Sequence, residues 1–340
     1  MASRSELFFI DLFRSATLRG AIERAARRER EQLFEDCTAV PVNVFQLAER
    51  RGMQIEEDLT GASCEEGLLI PFKGGYRVRL RKSATESRKR FSLAHEMGHA
   101  LFYKDDGDGP RHQVSILSVV ERKAEERICN SFAGALLMPW PQLREEFLGL
   151  PSGNPSQILT RLDTVAKRFR VSVPALLQRL RALDVVAPPY MLLCLAAKPN
   201  PATGTDLALR VEFCVSLGSW RSSHIWQHRS AHGVGLNSAM SLFDQWDRAR
   251  QSTTVKGHFT LDRQLGLLTA EDTPNEMRET IRLSRVALGK WTNEAVEVVS
   301  ASRLYAWTAD RDQKAYILSV LSPVDSARPF DAPSSKMAAS

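Results

Sequence analysis

Phe91-Ser-Leu-Ala-His-Glu-Met-Gly-His-Ala-Leu-Phe102 contains His95 and His99 four residues apart, with Glu96 beside the first. On a helix, residues four apart lie one above the other on the same face. The two imidazoles can then aim at one point, which is what a tetrahedral Zn²⁺ needs. Glu96 adjoins His95 too closely to be a comfortable third ligand. It can instead take a proton from a water in the site, as a general base does. Phe91, Leu93, Ala94, Met97, Ala100, Leu101 and Phe102 make the helix apolar nearly all round, so it is expected in the core. Two His and a Glu inside such a helix are costly unless paired or metal-bound. Gly98 leaves no side chain between the two His, which suits close approach by another element.

A catalytic zinc usually has three protein ligands. Downstream, Glu121 to Pro139 reads as a second helix, stopped by the proline. Glu126, Asn130, Ala133 and Leu137 form one stripe on it, and Glu125, Ile128, Phe132 and Leu136 form another. Both stripes carry a carboxylate above apolar or small residues, so periodicity does not separate Glu126 from Glu125. The helix dipole would favour either glutamate, solvated, in the first turns.

The run Arg90-Phe-Ser-Leu-Ala-His-Glu-Met-Gly-His99, followed by Glu126-Arg-Ile-Cys-Asn-Ser-Phe-Ala-Gly-Ala-Leu-Leu-Met-Pro139, resembles the ImmA/IrrE family of bacterial metallopeptidases. Its members pair an RFxxAHExGH helix with an ExxxNxFAxxLLMP helix. Val40 to Gly52 is similar to the short helix that opens their domain, and the resemblance spans about residues 38 to 186. It implies a zinc endopeptidase with His95, His99 and Glu126 as ligands and Glu96 as the catalytic base. It also implies a narrow protein substrate, typically a helix-turn-helix repressor encoded nearby and cut to release its genes under stress. Asn130, one turn past Glu126, is a candidate for orienting that carboxylate or a ligand His. Tyr103 and His112 are the candidates for stabilising an oxyanion.

The other class of function open to this sequence is a DNA-binding regulator in which zinc is structural and no peptide is cut. A fourth protein ligand would favour it. An intact Glu96 argues against it, since structural zinc has no use for a general base.

Composition narrows the setting. At 340 residues, two or three domains are expected. No apolar run approaches the roughly 18 residues needed to span a membrane. Leu7 to Ile10 is followed by Asp11 and no small-residue cleavage site, so no signal peptide is read. Five scattered cysteines without CxxC spacing fit reduced thiols, and a cytoplasmic location is expected. The net charge of +6 is uneven: residues 155 to 186 hold six basic and two acidic groups, whereas residues 1 to 154 balance at 23 of each.

Along the chain, residues 17 to 35 read as an amphipathic helix whose Arg24, Arg27, Arg28 and Arg30 alternate with Glu23, Glu29 and Glu31 on a solvated face. A helix over 42 to 51 ends at Gly52. Strands are expected near 54 to 58, 67 to 72 and 76 to 80. Ser83 and Glu86 have capping-box spacing, and Lys104 to Pro110 reads as a loop without the register of a Ca²⁺ site.

Residues 158 to 186 read as two helices about a tight turn at Val171-Ser172-Val173, with helix-turn-helix spacing in Ala166, Val171, Leu176 and Leu180. Arg170 stands where that turn usually has Gly. Arg168, Arg170, Arg179 and Arg181 could contact DNA. The alternative, a helical cap on the peptidase core, is the one that the resemblance favours.

Past Pro188-Pro189 the texture turns to β, with six candidate strands and a helix near 237 to 250. His224, His228 and His232 would align on a helix as a second metal site, but the Gly-rich flanks favour a polar loop. The expected fold is α+β in four parts. Residues 1–154 form a zincin-like metallopeptidase domain of helices plus a small antiparallel sheet. Residues 155–187 form a helix-turn-helix-like segment, residues 188–321 an appended α+β sensory or recognition domain, and residues 322–340 a disordered tail.

Overall fold

The computed structural model describes residues 2–33, 38–59, 66–82, 84–114, 118–147, 154–183, 190–199, 207–217, 236–251, 259–262, 267–270, 277–287, 290–306 and 315–323. It is a mixed α+β fold. Among these residues no helix is long and apolar enough to cross a membrane.

The chain opens with α1 (Arg4–Leu12), an element the sequence reading missed. Ser3 and Glu6 close a capping box at its start, and the Arg4 and Ser5 backbone N–H groups both donate to Glu121 at 3.0 Å. The next helix, α2 (Leu18–Leu33), buries Ile22, Ala25 and Ala26 as expected.

The charged face of α2 is not simply solvated. Arg30 is buried and donates to the carbonyls of Ala135 and Leu136 at 3.0 and 3.4 Å. Glu29 pairs with Arg51 at 2.9 Å, and Glu23 takes two bonds from Arg179 at 2.6 and 2.9 Å. The cause is the end of a neighbouring helix, whose last carbonyls lack intrahelical partners and need donors. Alternating charge along a sequence cannot reveal that need.

After α3 (Val44–Arg50), Gly52 turns the chain at φ +72° into β1 (Met53–Leu59). Then come β2 (Gly67–Phe72) and β3 (Gly75–Arg81), joined by the two-residue turn Lys73-Gly74. The sheet order is β1-β3-β2, with β2 antiparallel to β3 and β1 parallel to it. The small sheet is therefore mixed, not antiparallel. Alternation in a sequence fixes which face a residue takes but not the direction of the partner strand.

The histidine helix is α4 (Glu86–Ala100). Its cap is Thr85, which accepts from the Arg88 N–H at 3.4 Å, and not Ser83, which lies outside the described residues. The expected loop after it is a short hairpin of β4 (Tyr103–Asp105) and β5 (Pro110–His112). Next is α5 (Val119–Leu137), which stops just before Pro139, followed by α6 (Trp140–Phe147), α7 (Pro155–Phe169) and α8 (Val173–Ala182).

Ser172 caps α8, as its sequence suggests. Arg170 takes the left-handed conformation at φ +51° that Gly usually supplies, so the turn survives the substitution. Buried Arg90 of α4 secures it, donating to the carbonyls of Arg170 at 3.2 Å and Val42 at 2.7 Å. Burial pulls the Arg90 pKa down to about 10, still charged at neutral pH.

The rest is one sheet packed on helices: β6 (Tyr190–Pro199), β7 (Leu207–Leu217), α9 (Asn237–Gln251), β8 (Phe259–Asp262), β9 (Leu267–Ala270), β10 (Met277–Ala287), β11 (Lys290–Ala306) and β12 (Ala315–Pro323). The path is β7-β6-β12-β11-β9-β8, with β10 also paired to β11 and every pairing antiparallel. One face, through Met191, Leu193 and Leu304, packs on Leu242 and Phe243 of α9. The other, through Leu192, Tyr305 and Leu318, joins the cluster that also holds Phe132, Leu136 and Phe169. Tyr305 donates to Asp163 of α7 at 3.0 Å.

Among the described residues one apolar cluster thus runs from α1 to β12, and a second lies between the sheet and α9. The textures change near 154 and 187, but the first cluster crosses both points. Ser322 and Pro323 belong to β12 and not to the tail expected from 322, and 324–340 lies outside the described residues. His224, His228 and His232 lie outside them too.

Candidate metal centre

α4 and α5 cross face to face at the histidines. A methyl on Gly98 would sit 3.1 Å from the Cα of Cys129 and 3.2 Å from a ring carbon of Phe132. That close approach brings Glu126 of α5 onto the two imidazoles of α4. The Nε2 atoms of His95 and His99 stand 3.1 Å apart. Glu126 places Oε2 3.3 Å from His95 Nε2 and Oε1 3.5 Å from His99 Nε2. With bonds of about 2.0–2.1 Å, ligand atoms on tetrahedral zinc stand roughly 3.3–3.4 Å apart, a value those separations bracket.

The tautomers agree with this geometry. His95 Nδ1 lies 3.1 Å from Asn130 Oδ1, a pure acceptor, so it carries the proton and donates. His99 Nδ1 donates to Glu125 Oε1 at 2.7 Å in the same way. When the rings are neutral, each Nε2 keeps the lone pair that a shared cation would use. Sequence periodicity left the two glutamates equivalent. In the structure Glu126 is on the triangle, and buried Glu125 stands behind it, also accepting from His112 Nε2 at 3.1 Å.

The electrostatics of the cluster favour positive charge at this point. Burial would lower the His99 pKa, but its contacts with Cys129, Glu125 and Glu126 raise it well above the usual imidazole range. Hydrogen bonds from His95 and His99 hold the Glu126 carboxyl far below the usual carboxylate range. Burial pushes the Glu125 carboxyl up, yet the His112 and His99 bonds outweigh it and leave it lowered. A second group, His99 with Glu125 and Cys129, also has metal-ligand chemistry. Burial, however, pushes the Cys129 thiol up to about 11, so it stays protonated and is a poor ligand.

Glu96 is buried and lies against β2. Burial raises its carboxyl above the usual range, His95 and His99 oppose that rise, and the Leu69 N–H bonds to it. A Cβ on Gly67 would come within 2.9 Å of Glu96 Oε1, so a side chain at this position of β2 would shift the carboxylate. Tyr103 lines the cleft with the histidines. His112 does not: its ring stacks on Phe102, Nδ1 lies 2.6 Å from the Val114 carbonyl, and Nε2 is on Glu125. It anchors Glu125 instead. Sequence reasoning missed the supporting places of Glu125, His112 and Gly67, although an i, i+4 link from Glu125 to Cys129 was visible.

The site opens on a cavity of about 1200 Å³. Pockets for drug-sized ligands run to about 1,000 Å³, so this one has room for several residues of a polypeptide.

Residues 46–181 match the family model described as the IrrE N-terminal-like domain of the M78 peptidases. The radiation response metalloprotease IrrE of Deinococcus radiodurans is 33% identical over 132 residues, which cover 36% of this chain and 35% of that protein. The matched part thus spans about a third of the curated relative. Among solved structures, a Mycobacterium tuberculosis transcriptional regulator aligns over 95% of this chain and 94% of its own, at 12% identity and a TM-score of 0.47. The motif spacing, the family match and the IrrE alignment converge on the same stretch, and that stretch of the chain resembles the ImmA/IrrE metallopeptidases.

Proposed function

We propose that the protein is a zinc-dependent endopeptidase whose substrate is a helix-turn-helix repressor, cut to release its genes under stress. The observation that carries this reading is the triangle of His95, His99 and Glu126, with Glu96 beside it, at the wall of a peptide-sized cavity. The name of the IrrE relative supports the peptidase class. The repressor comes from the motif resemblance alone.

His95 Nε2, His99 Nε2 and the Glu126 carboxylate would hold the ion. Zinc supplies Lewis-acid polarisation of a scissile carbonyl and acidifies water, toward a pKa of about 7 in such sites. Glu96 accepts the proton of the attacking water and passes it to the leaving amine, a task for which a carboxyl raised by burial is suited. Asn130 and Glu125 keep the two imidazoles in the Nδ1–H form. Tyr103, in the cavity lining, would donate to the developing oxyanion. The rival, a DNA-binding regulator with structural zinc, calls for a closed site with four protein ligands, but among the described residues this group has three donors.

The test is incubation of the purified chain, with and without chelator, with the helix-turn-helix repressor encoded beside it. Cleavage that stops on chelation and returns with zinc supports the reading. An intact repressor in the presence of stoichiometric zinc overturns it.

A further inference from the structure

The cavity has a second wall, built from elements outside the metal helices. On α8, Pro174, Ala175, Gln178 and Arg181 face it, at the three-to-four-residue spacing of one helix face. The opposite face of α8, with Leu176, Leu177 and Leu180, is buried. Beside α8, the sheet-edge strand β7 contributes Phe213, and β12 contributes Tyr316. These two rings add aromatic surface to the lining, as Phe91 of α4 does on the metal side.

The charges on this wall are mostly committed. Arg179 is buried against Glu23, and Glu212 pairs with Lys198. Exposed Arg181 forms no ion pair or hydrogen bond with any described residue. We infer that α8, with the β7 edge, is a substrate-reading wall that accepts an extended polypeptide bearing an acidic side chain for Arg181 and an apolar one for the rings of Phe213 and Tyr316. This rests on the peptidase reading for its occupant, since the same cavity holds the metal triangle.

The sequence also allowed α8 to be a DNA-reading helix, and the structure speaks against that occupant. Such a helix must protrude into a major groove about 12 Å wide, whereas the outward face of α8 lines a cavity shared with β2 and the metal ligands. Affinity for a duplex comes from several phosphate contacts. Of the four arginines considered for DNA, Arg179 is buried and Arg168 is held by Glu146.

The test uses the full zinc-loaded chain carrying Glu96→Gln, so that binding is read without hydrolysis. The probes are fluorescein-labelled unstructured peptides, identical except for Glu or Lys at one scanned position. Anisotropy should show Glu favoured at one position by about tenfold, as a steering charge contact allows. Adding Arg181→Glu should reverse the preference toward Lys. Ala175→Trp, which fills the groove, should weaken both peptides with zinc content unchanged.

Preferences unmoved by Arg181→Glu, or no peptide binding at all, overturn the inference. So does a DNA duplex that binds in an Arg181-dependent way and displaces the peptide. The chain with Glu96 intact separates the two readings. Peptides bound as described but never cut would sink the peptidase reading and leave the wall standing. Peptides cut with no dependence on positions 175 and 181 would do the reverse.

Discussion

His99 Nδ1 lies 2.7 Å from Glu125 Oε1, which leaves the other ring nitrogen of His99 for Glu126 and His95. Adjacent glutamates on one helix therefore have different tasks, one holding the imidazole and the other completing the triangle. Glu126→Ala should lose zinc outright. Glu125→Ala should keep it with affinity reduced about 10–100-fold, the usual cost of removing such a partner. Zinc titration of both variants checks this, and the opposite order would mean that the ligand is misassigned.

Glu96→Gln should bind zinc and fold as the parent does, yet lose about 10²–10⁴ in turnover, since an amide cannot accept the proton. Gly67→Ala offers a subtler probe, because the added methyl meets Glu96 Oε1 at 2.9 Å and must displace it. A misplacement of about 1 Å can cost 10²-fold in rate. A fall in kcat with KM and zinc content unchanged is the expected signature, and full activity would show that Glu96 is not the base.

Acid should strip the metal before it unfolds the chain. Zinc needs its ligand imidazoles neutral. Despite its burial, His99 is held by Cys129, Glu125 and Glu126 so that it takes up a proton well above the usual imidazole range. Protons therefore compete with the metal, and its affinity should fall steadily as the pH drops. Zinc release followed with a chromophoric chelator between neutral and acid pH measures it. An affinity that does not change with pH would mean that His95 and His99 are not both ligands.

A chain ended near Val186 should fail to fold stably. The texture change at Pro188-Pro189 suggested a detachable sensor, but β11 and β12 cover α7, and Tyr305 donates to Asp163 at 3.0 Å. Truncation would expose that apolar face to water at about 25 cal/mol per Å². Aggregation or loss of a cooperative urea transition is the expected outcome, and a soluble, zinc-binding fragment would contradict the shared core.

The histidine helix, the stop before Pro139 and the pair α7–α8 were all legible because each is written locally, in i, i+4 spacing, in a proline, or in a Ser cap. Long-range demands were not. Arg30 reads as surface charge until the free carbonyls at the end of α5 are beside it. Glu125 and Glu126 read alike until the angle between α4 and α5 is known. The parallel pairing of β1 with β3 depends on where the intervening β2 is laid. Arg170 argued against the turn that it in fact makes, because its anchor, Arg90, is 80 residues away in sequence.

Gly98 has a consequence for how the protein acquires its ion. Where α4 and α5 meet, Gly98 faces the Cα and Cβ of Cys129 and the ring of Phe132 at van der Waals contact, so the spacing between the histidines and Glu126 is held by packed helices. Folding itself brings the donors together, and little conformational freedom is left to lose when zinc arrives. Capture should then be fast and free of structural rearrangement, and the site should discriminate among metals by size and geometry because it cannot relax around a poor fit.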